Sequence, residues 1–164
     1  QQDVGSYRMV YASVGDSRIY LLRPSGTLQR LTEDDGYFSL LLRKGEIEKG
    51  DILRIDQATH TDQLTETELS YFHKRNGITQ SLGTTSAPDI HIDQVDIMPG
   101  DRILLCSDGI HDNLLDKEIE DILRYCPRTT VARVLVNSAL RCSDNKDLRA
   151  KADDMSAVVI TCRN

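Results

Sequence analysis

Arg102 to Cys106 reads RILLC, a short and mostly apolar run that ends abruptly on Ser107-Asp108-Gly109. Such a run, stopped by a turn signal, predicts a strand buried on both faces. The rest of the chain must therefore cover it. Tyr7 to Val14 (YRMVYASV) is rich in β-formers and ends at the turn pair Gly15-Asp16. Arg18 to Arg23 (RIYLLR) and Thr27 to Leu31 (TLQRL) flank the turn Pro24-Ser25-Gly26. With connections this short, the three segments predict an antiparallel meander.

Downstream, Tyr37 to Lys44 has helical spacing, with Gly45 to stop it. Glu46 to Thr61 is polar and predicts irregular chain. The Thr65 hydroxyl is placed to cap a helix over Glu66 to Lys74. Ile78 to Leu82 predicts a short strand, Thr84 to Pro88 a loop, and Ile90, Ile92 and Val95 a further strand. Asp116 is placed to cap a helix over Lys117 to Tyr125, where Ile119, Ile122 and Leu123 share a face. Thr129 or Thr130 caps a second helix through about Leu140. Ser143 to Lys151 is polar and predicts a mobile stretch; Ser156 to Thr161 (SAVVIT) predicts a closing strand. Hairpins dominate and two helices stand together near the end, a pattern that predicts α+β with an antiparallel sheet. At 164 residues, one domain accounts for the chain.

Several function classes fall away. A net charge of −6 argues against a nucleic-acid partner. No apolar run approaches the roughly 20 residues of a membrane helix, and the start does not read as a signal peptide. The expectation is a cytoplasmic protein with no membrane partner. Cys106, Cys126, Cys142 and Cys162 form no C-x-x-C pair and read as reduced thiols, Cys106 as a buried and inert one. His60, His73, His91 and His111 are scattered, without zinc-ligand spacing. Neither a G-x-S-x-G elbow nor a P-loop occurs.

What remains is a set of acids at strand ends: Asp16 in VGDSR, Asp34-Asp35 after the third segment, Asp108 in SDG, and Asp153-Asp154 before the last strand. A sheet holds such carboxylates rigidly at its rim. Two of them at ~4 Å and an effective dielectric of ~20 repel by about 4 kcal/mol, a penalty that a cation removes. Mg²⁺ accepts few carboxylates plus several waters, so the pattern suits a hydrated metal site. Taken singly, each Asp-Gly or Gly-Asp pair also fits an ordinary turn. Asp112 and Asp121 read as solvent-face charges.

In order, the motifs VGDSR, LTEDD, RKGEI, ITQSLGT, GDRILLCSDGIHD and DDMSAVVI resemble the C-terminal part of the metal-dependent protein phosphatase 2C-like (PPM-type) serine/threonine phosphatases, the bacterial members above all. The resemblance runs from about Tyr7 to Thr161. It implies two packed antiparallel β-sheets flanked by helices. It implies hydrolysis of phosphoserine and phosphothreonine in protein substrates, a signalling role, and two Mg²⁺ or Mn²⁺ ions that activate a water. No catalytic residue beyond the metal ligands is implied. Asp108 matches the aspartate of the family's S-D-G motif and Asp153 that of its D-N motif, both metal ligands. Asp154 replaces the asparagine there and adds negative charge. Asp34 matches an aspartate that binds a third, weaker metal in bacterial members. Asp16 and Arg18 match G-D-S-R, read as organising the site together with Gly109. Residues 36–78 correspond to the family's flap, which tunes substrate access.

The family's earlier R-x-x-N-E-D-type and D-G-x-G-G-type segments have no counterpart here, and the chain starts on Gln1 rather than Met. Asp108 and Asp153 belong mainly to one metal, so this chain alone is expected to be inactive, with open edges on both sheets. The expectation is the C-terminal portion of a longer phosphatase. The alternatives are a half-domain completed by a complementary chain and a non-catalytic, partner-binding pseudophosphatase.

Overall fold

A computed structural model describes residues 6–83, 87–145 and 147–163. The strand expected from RILLC is β5 (Arg102–Cys106), and it lies inside a four-stranded antiparallel sheet. That sheet runs β3 (Leu28–Arg30), β2 (Arg18–Leu22), β5 and β6 (Ala157–Thr161). β1 (Tyr7–Ser13) and β4 (His91–Ile97) form a second, two-stranded antiparallel sheet. The expected architecture of two antiparallel sheets with helices is therefore present.

Side-chain alternation along a strand sends successive residues to opposite faces, and the two faces of β2 and β5 serve two cores. Ile19, Leu21 and Ile103 pack with Met9, Tyr11, Val95 and Ile97 of the second sheet. Tyr20, Leu22, Leu104 and Cys106 pack with the helices α4 (Asp108–His111), α5 (Asp116–Tyr125) and α6 (Val131–Ser143). Burial of β5 is incomplete, since Leu105 is partly exposed. On the neighbouring β6, Val158 (58% exposed) and Ile160 (47%) stand on the same uncovered side.

Three expectations about connectivity are corrected. The meander does not form: β1 pairs with β4, from Tyr7↔Ile97 to Ser13↔His91, while β2 pairs with β3 and β5. Gly15, at φ 91°, turns the chain from one sheet to the other there. Glu46 to Thr61 is not irregular, because Lys49–Asp56 is a helix, α2. Its polar residues hide an apolar inner side: Ile47, Ile55 and Ala58 join Leu41 of α1 (Tyr37–Lys44) and Phe72 of α3 (Glu66–Lys74) in a third core. Residues 36–78 thus carry their own packing. Ile78 to Leu82 is not a strand but contributes a single bridge, Gly36↔Ile78. The loop expected over Thr84 to Pro88 falls partly outside the described residues.

Capping is mixed. The Thr65 hydroxyl accepts from the Glu68 amide at 3.3 Å, as the sequence predicts. Asp116 instead stands inside the first turn of α5, and the cap position belongs to Leu115, whose amide donates to Glu118 Oε2 at 2.8 Å. Thr130 holds the cap position of α6 without a side-chain cap bond. Of the stretch Ser143 to Lys151, expected to be mobile, the end is anchored by buried Arg149, which donates to the His111 carbonyl at 2.9 Å and to the Asp56 carbonyl.

Candidate metal centre

Strand register explains why distant acids share one rim. Arg18 lies opposite Cys106, and Cys106 opposite Ala157. The segment before β2, the segment after β5 and the segment before β6 therefore end side by side. They carry Asp16, Asp108 and Asp153-Asp154 respectively. The rim is stitched by Ser107: its amide donates to the Ser156 carbonyl at 3.1 Å, and its hydroxyl donates to the Asp154 carbonyl at 3.2 Å. Gly109 is the residue that lets the strands close. A Cβ there would stand 2.5 Å from the Asp154 carbonyl oxygen.

Asp108 and Asp153 meet at one cation, the Lys151 ammonium. Nζ lies 2.8 Å from Asp108 Oδ2, 2.8 Å from Asp153 Oδ2 and 2.8 Å from Asp112 Oδ2. Burial works against the charge on Lys151, yet hydrogen bonds to the three carboxylates raise its pKa. The Lys151 hydrogen bond in turn lowers the pKa of Asp153. Asp112 is buried, not the solvent-face charge that its spacing suggests, and burial raises its pKa against the pull of Lys151. Asp16 is pushed up to about 6, first by burial and then by the charge of Asp108.

Asp34 lies elsewhere in the arrangement. Its carboxylate takes the buried Arg18 guanidinium at 2.7 Å and Arg30 at 3.4 Å, and Arg18 also reaches Asp56 at 3.5 Å. Arg18 therefore ties the sheet to α2. Among the described residues Asp154 meets the rim through its backbone: its amide donates to Asp153 Oδ1 at 2.8 Å and its carbonyl accepts from the Ser107 hydroxyl at 3.2 Å. Beside Asp34 a cavity of about 170 Å³ opens between the sheet and residues 36–78, with Arg30, Lys49 and Arg75 on its wall.

Sequence reasoning leaves the roles of three residues here unassigned. His111 is buried, and its Nε2 lies 3.0 Å from the Asp16 carbonyl, so Nε2–H donates and pins the β1–β2 turn. Burial holds its pKa well below the usual imidazole value. Asp35 accepts from the Gly15 amide at 2.9 Å and faces His91 Nε2 at 2.8 Å. Asn113, also buried, brackets Lys151: its Oδ1 accepts from the Lys151 amide at 3.0 Å, and its Nδ2 donates to the Lys151 carbonyl at 2.9 Å. Cys106 behaves as expected, an inert thiol that burial pushes up to about 12.

The donor set suits a hard divalent ion. Asp108 and Asp153 already share a cation and stand at the surface, where waters complete a coordination sphere. Among the described residues no three of His, Cys, Asp and Glu are grouped closely enough to hold a metal. The ammonium explains this spread, since its 2.8 Å contacts exceed the roughly 2.0–2.1 Å of Mg²⁺–oxygen bonds.

Comparisons with known proteins point one way. The family profile for Stage II sporulation protein E (SpoIIE) matches residues 57–163. The chain is 34% identical over 117 residues to the serine/threonine phosphatase stp of Listeria welshimeri, covering 71% of this chain and 39% of that protein. The crystal structure of the Mycobacterium tuberculosis serine/threonine phosphatase PstP/Ppp superposes with a TM-score of 0.69 at 28% identity, covering 96% of this chain and 56% of that one. The PstP catalytic domain in complex with two manganese ions superposes with a TM-score of 0.62 at 27% identity, covering 96% and 54%. The chain thus spans about two fifths of the length of that Listeria relative.

Proposed function

The chain belongs to the SpoIIE/protein phosphatase 2C-type family of bacterial PPM phosphatases, and from that premise we propose that it supplies one side of a centre that hydrolyses phosphoserine and phosphothreonine in proteins. The observation that carries the reading is the meeting of Asp108 and Asp153 on one cation at the rim of the sheet. When bound there, Mg²⁺ or Mn²⁺ would supply a water of lowered pKa and neutralise phosphate charge. PstP, with its two manganese ions, supports a metal of this kind.

The chain's own residues do the positioning. Register brings the carboxylates together, Gly109 allows the backbone of Asp154 to approach, and Ser107 fixes both segments. Asp16 and Arg18 organise the neighbouring turn and Asp154 adds charge at the rim. Asp34 would contribute to a third metal only by giving up its pairs with Arg18 and Arg30. Residues 36–78 act as a flap, and the cavity beneath it has a wall of mixed charge, with Arg18, Arg30, Lys49 and Arg75 beside Glu33, Asp34 and Asp56. Further ligands come from the length of the relatives that this chain does not span, as a preceding segment or a complementary chain. A cytoplasmic setting is part of this proposal. Separately, no helix among the described residues is long and apolar enough to cross a membrane.

One observation favours a non-catalytic, partner-binding role instead: a lysine already bridges the acids and offsets one of their charges. Phosphate release from a phosphothreonine peptide by the full-length protein, with Mn²⁺ and then with chelator, separates the two. Chelator-sensitive release supports the phosphatase. Peptide binding without release supports the binding module.

A further inference from the structure

Lys151 is placed with unusual care for a surface lysine. Its backbone is clamped on both sides by the buried Asn113 amide, at 3.0 Å and 2.9 Å, and Asn113 is itself fixed by donating to the Gly109 carbonyl at 3.0 Å. The clamp sets the direction in which the side chain leaves. Its ammonium then makes three 2.8 Å contacts, and each uses an Oδ2 oxygen: Asp108, Asp112 and Asp153. Lys151 sits between the two carboxylates proposed to hold the metal, two residues before one of them. Its side chain is 25% exposed, so the ammonium can swing into water while the backbone stays clamped.

Charge sharpens the point. Three carboxylates and one ammonium leave a net charge of −2, enough to attract a divalent ion. A cation entering here has to take oxygens that the ammonium now uses, because two cations at contact distance repel strongly in a partly desolvated site.

We infer that Lys151 is a tethered cation that competes with the divalent metal for Asp108 and Asp153, so that metal binding requires its displacement. This rests on the proposed role of those two aspartates as metal ligands. Lys151 is thus a built-in setting for metal affinity: the site fills only when the metal concentration is high enough to expel the ammonium. Asn113 is its positioning residue, acting through the lysine backbone.

The test measures metal binding directly. Mn²⁺ is titrated into the full-length protein and free Mn²⁺ is read by its electron paramagnetic resonance signal, for wild type, Lys151→Met, Lys151→Gln and Lys151→Arg. Circular dichroism confirms that each variant is folded; two neutral replacements guard against one failing to fold. The expected result is Mn²⁺ binding at least about tenfold tighter in the neutral variants, a gain of about 1.4 kcal/mol, with Lys151→Arg staying close to wild type. Equal or weaker binding in both neutral variants overturns the competition and leaves the metal reading standing. No saturable binding in any variant overturns both.

Discussion

The carbonyl oxygen of Asp154 approaches Gly109 so closely that a Cβ on Gly109 would stand 2.5 Å from it. The close approach follows from the antiparallel pairing of β5 with β6, which sets Cys106 opposite Ala157 and brings the following and preceding turns together. Backbone atoms cannot swing aside as a side chain can. Gly109→Ala therefore forces the Asp108 and Asp153 segments apart. The expected loss of stability is about 1–3 kcal/mol, the usual range for overpacking. Urea denaturation of the variant checks it, and an unchanged midpoint would show that the rim is looser than described.

Arg18 joins two layers through one guanidinium. It contacts Asp34 at 2.7 Å and Asp56 at 3.5 Å, and it is buried along with Asp56. Removing one partner of a buried pair strands the other charge. Arg18→Ala is expected to lose about 3–5 kcal/mol. The additional replacement of Asp56 by Asn should recover part of that loss, because the stranded charge is gone. If the double variant is no more stable than the single one, burial of Asp56 is not the source of the cost.

Much of this architecture is legible in the sequence, and its misreadings have physical causes. RILLC and SAVVIT announce strands because their apolar runs are short and sharply bounded. The acids at strand ends are visible as residues, but their convergence is a matter of register, which no local pattern encodes. The β1–β2 connection looks like a hairpin because Gly15-Asp16 is a good turn pair; that the turn crosses between sheets depends on β4, far along the chain. Helix α2 is hidden because Ile52 and Ile55 are outnumbered by charges. Asp112 looks like a surface residue because nothing local reveals that α4 is sandwiched against α6 and β5. Lys151 and Asn113 lie 38 positions apart in sequence, so their clamp has no signature at all.

His91 and His111 should respond to pH with opposite sign. The Asp35 hydrogen bond raises the pKa of His91 above its ordinary value, so His91 contributes stability that is fully present below about pH 6.5. That contribution is lost as pH rises through the folded-state value. Burial lowers the pKa of His111, so its contribution is present above about pH 6.5 and is lost as pH falls toward the folded-state value. The melting-temperature gap between wild type and His91→Ala should therefore narrow as pH rises above about 6.5. A gap independent of pH would mean that the His91–Asp35 contact does not carry charge.

The central claim is that Asp108 holds a metal used to cleave phosphomonoesters. Its most direct test is Mn²⁺-dependent hydrolysis of a small aryl phosphate by the full-length protein, wild type against Asp108→Ala, with melting temperatures recorded for both. The account predicts turnover that chelator abolishes in the wild type. It predicts a loss of at least about 100-fold in the variant, the scale of removing one strong electrostatic contributor, with little change in melting temperature. Turnover that survives both the chelator and the Asp108→Ala substitution would contradict it.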